Sequence, residues 1–196
     1  GLENIEEAIP GVEVKLMYST TNNFVSNDVY GEMNRCYLRP EAVVKLSNAY
    51  ALLKERHPEY NFLVYDGVRP QFVQEIFWEV VVGTEWQNYV APPSSGSMHS
   101  YGCAVDLTIL DEKGEILDMG TPFDSFQDLA QPKYEQQFLA SGELTHRQLS
   151  NRLLLREVMQ EAGFQYIRNE WWHFNAFPRS EVKSRFELVD VRLSNG

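Results

Sequence analysis

Ser97-Met98-His99-Ser100-Tyr101-Gly102-Cys103-Ala104-Val105-Asp106-Leu107-Thr108-Ile109 sets a histidine and a glycine just ahead of an apolar run that contains one aspartate. The run from Cys103 to Leu110 reads as a strand. Alternation places Ala104, Asp106 and Thr108 on one face and Cys103, Val105, Leu107 and Ile109 on the other. A carboxylate in so apolar a strand is costly unless a cation meets it. Gly102 permits a backbone conformation that carries His99 round toward the same point. Taken alone, the pair is better read as a hydrogen-bonded aspartate and a surface histidine.

Glu170-Trp171-Trp172-His173 changes that balance. The segment is aromatic and β-prone, so His173 is expected on a strand, facing inward. In a regular strand Glu170 and His173 face opposite ways, so both reach one point only if the chain turns before Trp171. Two histidines, an aspartate and a spare glutamate make up the set that a zinc hydrolase needs. Three protein ligands hold the ion, a fourth position stays open for water, and a carboxylate takes its proton. The plainer alternatives are a loop carboxylate for Glu170 and a satisfied core histidine for His173. His57 and His146 fall at a helix end and a helix start, where a structural role is expected. Cys103 points away from the ligand face and reads as packing. Arg69 sits in Tyr65-Asp66-Gly67-Val68-Arg69-Pro70, where a strand gives way to a helix. It either points into a cleft to stabilise oxyanion charge or pairs with Asp66, and the residues alone leave both open.

Around these segments the pattern is mixed. From Pro40, the positions Ala42, Leu46, Ala49 and Leu53 follow helical spacing, and Pro58 stops the helix. Asn61–Tyr65 reads as a strand closed by Asp66-Gly67. A helix from Pro70 carries Phe72, Ile76 and Val80 on one face and ends near Gly83. Residues 91–97 read as a loop. Asp111-Glu112-Lys113-Gly114 is a hairpin turn returning through residues 115–117. Thr145 caps a later helix with Gln148 as its capping-box partner, Leu149, Leu153 and Val158 turned inward, and Gly163 at its end. Phe164–Ile167 and Trp171–Asn175 read as short strands. Helices and antiparallel hairpins without strict alternation predict an α+β fold, a small, mainly antiparallel sheet flanked by helices.

The chain has 196 residues, 43% hydrophobic and 23% charged, which suits one globular domain over residues 1–196. Its net charge of −11 and lack of a basic patch argue against nucleic acid. No apolar run approaches the ~20 residues of a membrane span. Residue 1 is glycine, so an export signal could have been removed, and a periplasmic location is favoured over a cytoplasmic one. Cys36 and Cys103 are expected as free buried thiols, which leaves the redox compartment open.

The motif Ser-x-His-x-x-Gly-x-Ala-x-Asp followed by Glu-x-x-His stands complete as Ser97, His99, Gly102, Ala104, Asp106, Glu170 and His173. In this the chain resembles the zinc D-Ala-D-Ala peptidase superfamily. Tyr18-Ser19-Thr20 with Asn23-Phe24, Asp66–Pro70, Leu117–Asp124 and Glu170–His173 resemble its dipeptidase branch, the D-alanyl-D-alanine dipeptidases of the vancomycin-resistance type. The likeness runs from about Val14 to Phe174. It implies a hedgehog/D,D-peptidase-like fold with one zinc ion at the sheet, held by His99, Asp106 and His173. It also implies Glu170 as general base, Arg69 as transition-state stabiliser, and a small dipeptide as substrate. Tyr18, Ser97 and Asp124 resemble pocket residues, with Asp124 as partner for the substrate ammonium and Asp118 as its competitor. The plain alternatives are core packing for Tyr18, a turn residue for Ser97, and a helix cap before Ser125–Ala130 for Asp124. Pro92–Gly96 and Lys133–Glu143 match no motif and are where substrate preference has room to drift. Rival readings are a D,D-carboxypeptidase or cell-wall endopeptidase of the same superfamily, and a zinc-binding module without activity. The joint presence of Glu170 and Arg69 argues against the last. Oligomeric state is not legible.

Overall fold

A computed structural model describes residues 1–190, so residues 191–196, the end of the expected domain, lie outside the described residues. The elements in order are β1 (Glu3–Asn4), α1 (Ile5–Ala8), β2 (Glu13–Val14), β3 (Tyr37–Leu38), α2 (Pro40–Arg56), β4 (Asn61–Asp66), α3 (Gln71–Val81), β5 (Ala104–Leu110), α4 (Glu135–Ser141), α5 (His146–Glu161), β6 (Gln165–Tyr166), β7 (His173–Asn175) and α6 (Arg179–Arg185). β1 and β3 form a two-stranded sheet, and the other strands form a five-stranded sheet in the order β2-β4-β5-β7-β6. Only β2 and β4 run parallel; the other neighbours in that sheet are antiparallel. This is the expected α+β architecture, and one core cluster runs through it from Ile5 to Val182.

α2 forms where its apolar spacing predicts, with Pro40 in the first turn and Ala42, Leu46, Ala49 and Leu53 all fully buried. Lys54 and Arg56 complement the dipole at its end, and His57 caps it with its backbone N–H on the Leu53 carbonyl. α2 packs on α5 and on β4. The Thr145 capping box is present: Thr145 Oγ1 accepts from the Gln148 N–H and Gln148 Oε1 accepts from the Thr145 N–H. His146 opens α5 behind it. Both cysteines are free and buried.

Two helix faces differ from expectation. α3 buries Val73, Phe77 and Val81, whereas Phe72 and Ile76 are half-buried and Val80 is exposed. Apolar residues surround this helix, so two stripes of four-residue spacing compete, and the core takes the one that also turns Gln74 inward, with Phe77 against Tyr18 and Phe24. In α5 the buried set is Leu149, Arg152, Leu155, Val158 and Met159, with Leu153 exposed. At ~100° per residue, Leu149 and Val158 stand about 180° apart and mark the edges of the buried face, which excludes Leu153. The return after Asp111–Gly114 is also slighter than a full strand: Leu110 and Ile116 form a single bridge.

No helix among the described residues is long and apolar enough to cross a membrane.

Candidate active site

Three adjacent strands lay out the site. Asp66 of β4 lies opposite Asp106 of β5, and Asp106 lies opposite His173 of β7. Opposed residues share a face with Cβ atoms ~4.5–5.5 Å apart, so these side chains form a row across the sheet. The register shifts between Val64 and Asp66, and that shift puts Asp66 rather than Tyr65 into the row. His99 joins from a 3₁₀ turn, His99–Tyr101, which Gly102 closes in the left-handed conformation at φ 74°.

The donor atoms converge. His99 Nε2 is 3.2 Å from Asp106 Oδ1, His173 Nδ1 is 3.0 Å from the same oxygen, and the two nitrogens are 3.0 Å apart. All three residues are buried. The outer nitrogens settle the tautomers. His99 Nδ1 is 2.8 Å from the Gly67 carbonyl oxygen, and His173 Nε2 is 2.8 Å from Asn175 Oδ1. Those oxygens only accept, so each outer nitrogen carries the hydrogen and each inner nitrogen turns a lone pair to the centre.

Lone pairs that close require a cation among them. Burial works against ionised Asp106, but His99 and His173 outweigh it and hold its carboxyl well below the usual range. Without an ion a proton fills that role: His173 is raised, its hydrogen bond to Asp106 overcoming burial, and a metal would displace that proton. A tetrahedral ion with ~2.0–2.1 Å bonds sets its ligands about 3.3 Å apart. The observed separations and the chemistry of the donors fit such an ion.

The chain bends at Trp171 and Trp172, between Glu170 and His173 rather than before Trp171 as expected, and strand begins only at His173. Glu170 Oε2 comes within 3.9 Å of His173 Nδ1. Burial lifts its carboxyl to about 7, with Asp106 adding to the rise and His173 and Arg69 opposing it. Arg69 pairs with Asp66, placing Nε 3.0 Å and Nη2 2.7 Å from Oδ2. Its Nη1 donates to Gln74 Oε1 at 3.2 Å, and the guanidinium stacks 4.7 Å over Phe77. Arg69 still borders the cavity, so the two readings of it, ion pair and cleft residue, hold together.

That cavity, about 410 Å³, is lined by every expected site residue: Tyr18, Arg69, Ser97, His99, Asp106, Asp124, Glu170 and His173. Its size falls within the ~300–1,000 Å³ usual for small-molecule sites. Tyr18 is buried and donates its hydroxyl to Asp124 Oδ1 at 2.8 Å. Asp124 Oδ2 is buried with no hydrogen-bond partner among the described residues, and its backbone stands at φ 61°. Burial pushes this carboxyl up to about 8. Asp124 therefore caps no helix; the nearest turn, Asp128–Ala130, starts later. Ser97 is buried, and its Oγ accepts from the His99 N–H. Asp118 is exposed, bonded to Gln148, and outside the cavity.

α5 holds the Asp124 loop at both ends. Buried Arg152 donates Nε to the Met119 carbonyl at 2.7 Å and Nη2 to the Leu129 carbonyl at 2.9 Å. Trp171 Nε1 pins the loop again at Thr121 Oγ1. Of the stretches without a family motif, Pro92 lines the cavity and residues 133–143 do not.

Sequence reasoning missed Gly67 and Asn175. Asn175 was within reach, since it stands two residues from His173 on the same strand face. Gly67 was not, because its carbonyl is a backbone group. A methyl group at Gly67 would stand 2.5 Å from Cys36 Sγ and 2.7 Å from the Tyr37 carbonyl oxygen. Gly67→Ala is therefore expected to cost about 1–3 kcal/mol by overpacking and to weaken metal binding ~10–100-fold as the His99 partner shifts. Thermal melts with and without metal, and a chelator competition titration, measure the two effects. An alanine variant with unchanged metal affinity would remove Gly67 from the site.

A mixed sheet that opens a buried His–Asp–His cluster and a glutamate into one cavity is built for hydrolysis, and comparison with known proteins gives the class as peptidase. The D-ala-D-ala dipeptidase family model matches residues 1–191. The D-alanyl-D-alanine dipeptidase of Escherichia coli is 32% identical over 173 residues, 88% of this chain and 83% of that protein. The protein of the same name from Enterococcus faecium is 31% identical over 194 residues, covering 89% of this chain and 90% of its own. Among solved structures, the LdcB LD-carboxypeptidase aligns with a TM-score of 0.44 and 17% identity over 76% of this chain and 63% of that one. The chain belongs to the D-ala-D-ala dipeptidase family.

Proposed function

We propose that this protein hydrolyses the dipeptide D-alanyl-D-alanine to D-alanine, with one zinc ion held by His99, Asp106 and His173. The observation that carries the reading is Glu170, a carboxyl pushed to about 7 beside three converging donors in one cavity. Bound zinc supplies Lewis acidity, activating water and polarising the scissile carbonyl.

The chain's own groups supply the rest. Glu170 takes a proton from the attacking water and returns it to the departing amine as the C–N bond breaks. Burial raises the proton affinity of this carboxyl, which suits it to take the proton and hold it for the second transfer. Arg69, fixed by Asp66 and Gln74, offers fixed positive charge to the carbonyl oxygen as it becomes negative. Asp124 receives the substrate ammonium: its Oδ2 lacks a partner, and an arriving cation favours the ionised form that burial disfavours. Tyr18 holds the other carboxyl oxygen, and Ser97 contributes a hydroxyl at the wall.

The test is to load the protein with zinc and measure alanine released from D-Ala-D-Ala, L-Ala-L-Ala and a longer peptide ending in D-Ala-D-Ala. Cleavage of the D,D-dipeptide alone is expected. Cleavage of the longer peptide would move the protein to the carboxypeptidase side of the superfamily.

A further inference from the structure

The cavity answers the ammonium end of a dipeptide with Asp124 but surrounds the reaction point with carboxyls. Asp106, Asp124 and Glu170 line it, and only two arginines stand among its walls, Arg69 and Arg179. A carboxylate brought unpaired into such surroundings is strongly disfavoured. Because zinc and Arg69 are assigned to the scissile carbonyl, a substrate with a free C-terminus needs a further cation. Arg69 is largely committed, since Asp66 takes its Nε and Nη2 and Gln74 takes its Nη1.

Arg179 is differently placed. It belongs to α6, is exposed, and makes no ion pair among the described residues. Its Nη2 donates to the Ser95 carbonyl at 2.8 Å and to the Gly96 carbonyl at 2.6 Å. Those carbonyls belong to the turn that delivers Ser97 and His99. Two bonds from one nitrogen hold the planar guanidinium at the cavity wall, while Nε and Nη1 have no partner among the described residues. Both two-pronged faces of a guanidinium include Nη2, so Arg179 meets a carboxylate through its positive charge and a single N–H of Nη1 or Nε.

We propose that Arg179 anchors the free carboxylate of the substrate and makes the enzyme selective for peptides with an uncapped C-terminus. The proposal rests on the dipeptidase reading. It deepens that reading by naming a specificity residue that lies beyond the span of the family motifs.

The test compares D-Ala-D-Ala with D-alanyl-D-alaninamide in the zinc-loaded wild type, Arg179→Gln and Arg179→Lys. Wild type is expected to prefer the acid. In Arg179→Gln the KM for the acid rises about 10–100-fold with kcat changed far less, so the preference for acid over amide collapses. Arg179→Lys restores part of it by keeping the charge. Wild-type preference retained in Arg179→Gln overturns the proposal and assigns the carboxylate to Arg69. An equal fall in kcat on both substrates also overturns it, because Arg179 then only braces Ser95 and Gly96. Wild type cleaving neither substrate sinks the dipeptidase reading itself, a result distinct from the other two.

Discussion

Replacing Glu170 with glutamine lowers kcat for D-Ala-D-Ala by about 100-fold to 10,000-fold while the metal stays bound. The substitution keeps size and shape and leaves the donor atoms of His99, Asp106 and His173 untouched. It removes only the capacity to accept a proton near neutral pH. The native carboxyl has that capacity because burial raises its proton affinity above that of an exposed glutamate. KM is expected to change little, since the proton moves only on the way to the transition state. Steady-state kinetics and a metal assay on the same sample decide the matter. A variant within threefold of wild type places the base elsewhere. Loss of metal together with activity makes Glu170 a fourth ligand rather than a base.

How much of this was legible beforehand depends on which interactions are local. The α2 stripe and the Thr145–Gln148 capping box are set by residues three and four apart, and both appear as read. The cost of Asp106 in an apolar strand was also legible, because burial of a charge is penalised whatever surrounds it. Register was not. Nothing local states that β4 slips by one residue so that Asp66 faces Asp106, yet that slip supplies the anchor for Arg69. The α3 face failed for a related reason: Phe72, Ile76 and Val80 compete with Val73, Phe77 and Val81 on equal apolar terms, and only tertiary packing, with Tyr18 and Phe24 against Phe77, chooses. Gly67 and Arg179 act through backbone carbonyls, their partner's or their own, and a carbonyl leaves no mark in a residue pattern.

Removing His173 has a different signature from removing Glu170, and the contrast separates holding the metal from moving the proton. His173→Ala takes one donor from three and leaves His99 Nε2 with Asp106 Oδ1, a pair too few to close a tetrahedral site. Metal affinity is expected to fall by well more than the ~10–100-fold that an outer partner such as Asn175 is worth, and turnover to fall to background. The fold should persist. β7 is held by backbone pairing to β5 and β6, and Asp106 keeps Arg69 Nη2 at 3.7 Å as well as His99. Circular dichroism, metal content after dialysis, and alanine release with added zinc give the three readings. A His173→Ala protein that is folded, metal-free and still active would remove the metal from the proposed chemistry altogether. One that is folded, metal-free and silent, beside a metal-bound and silent Glu170→Gln, assigns the two residues to the two tasks.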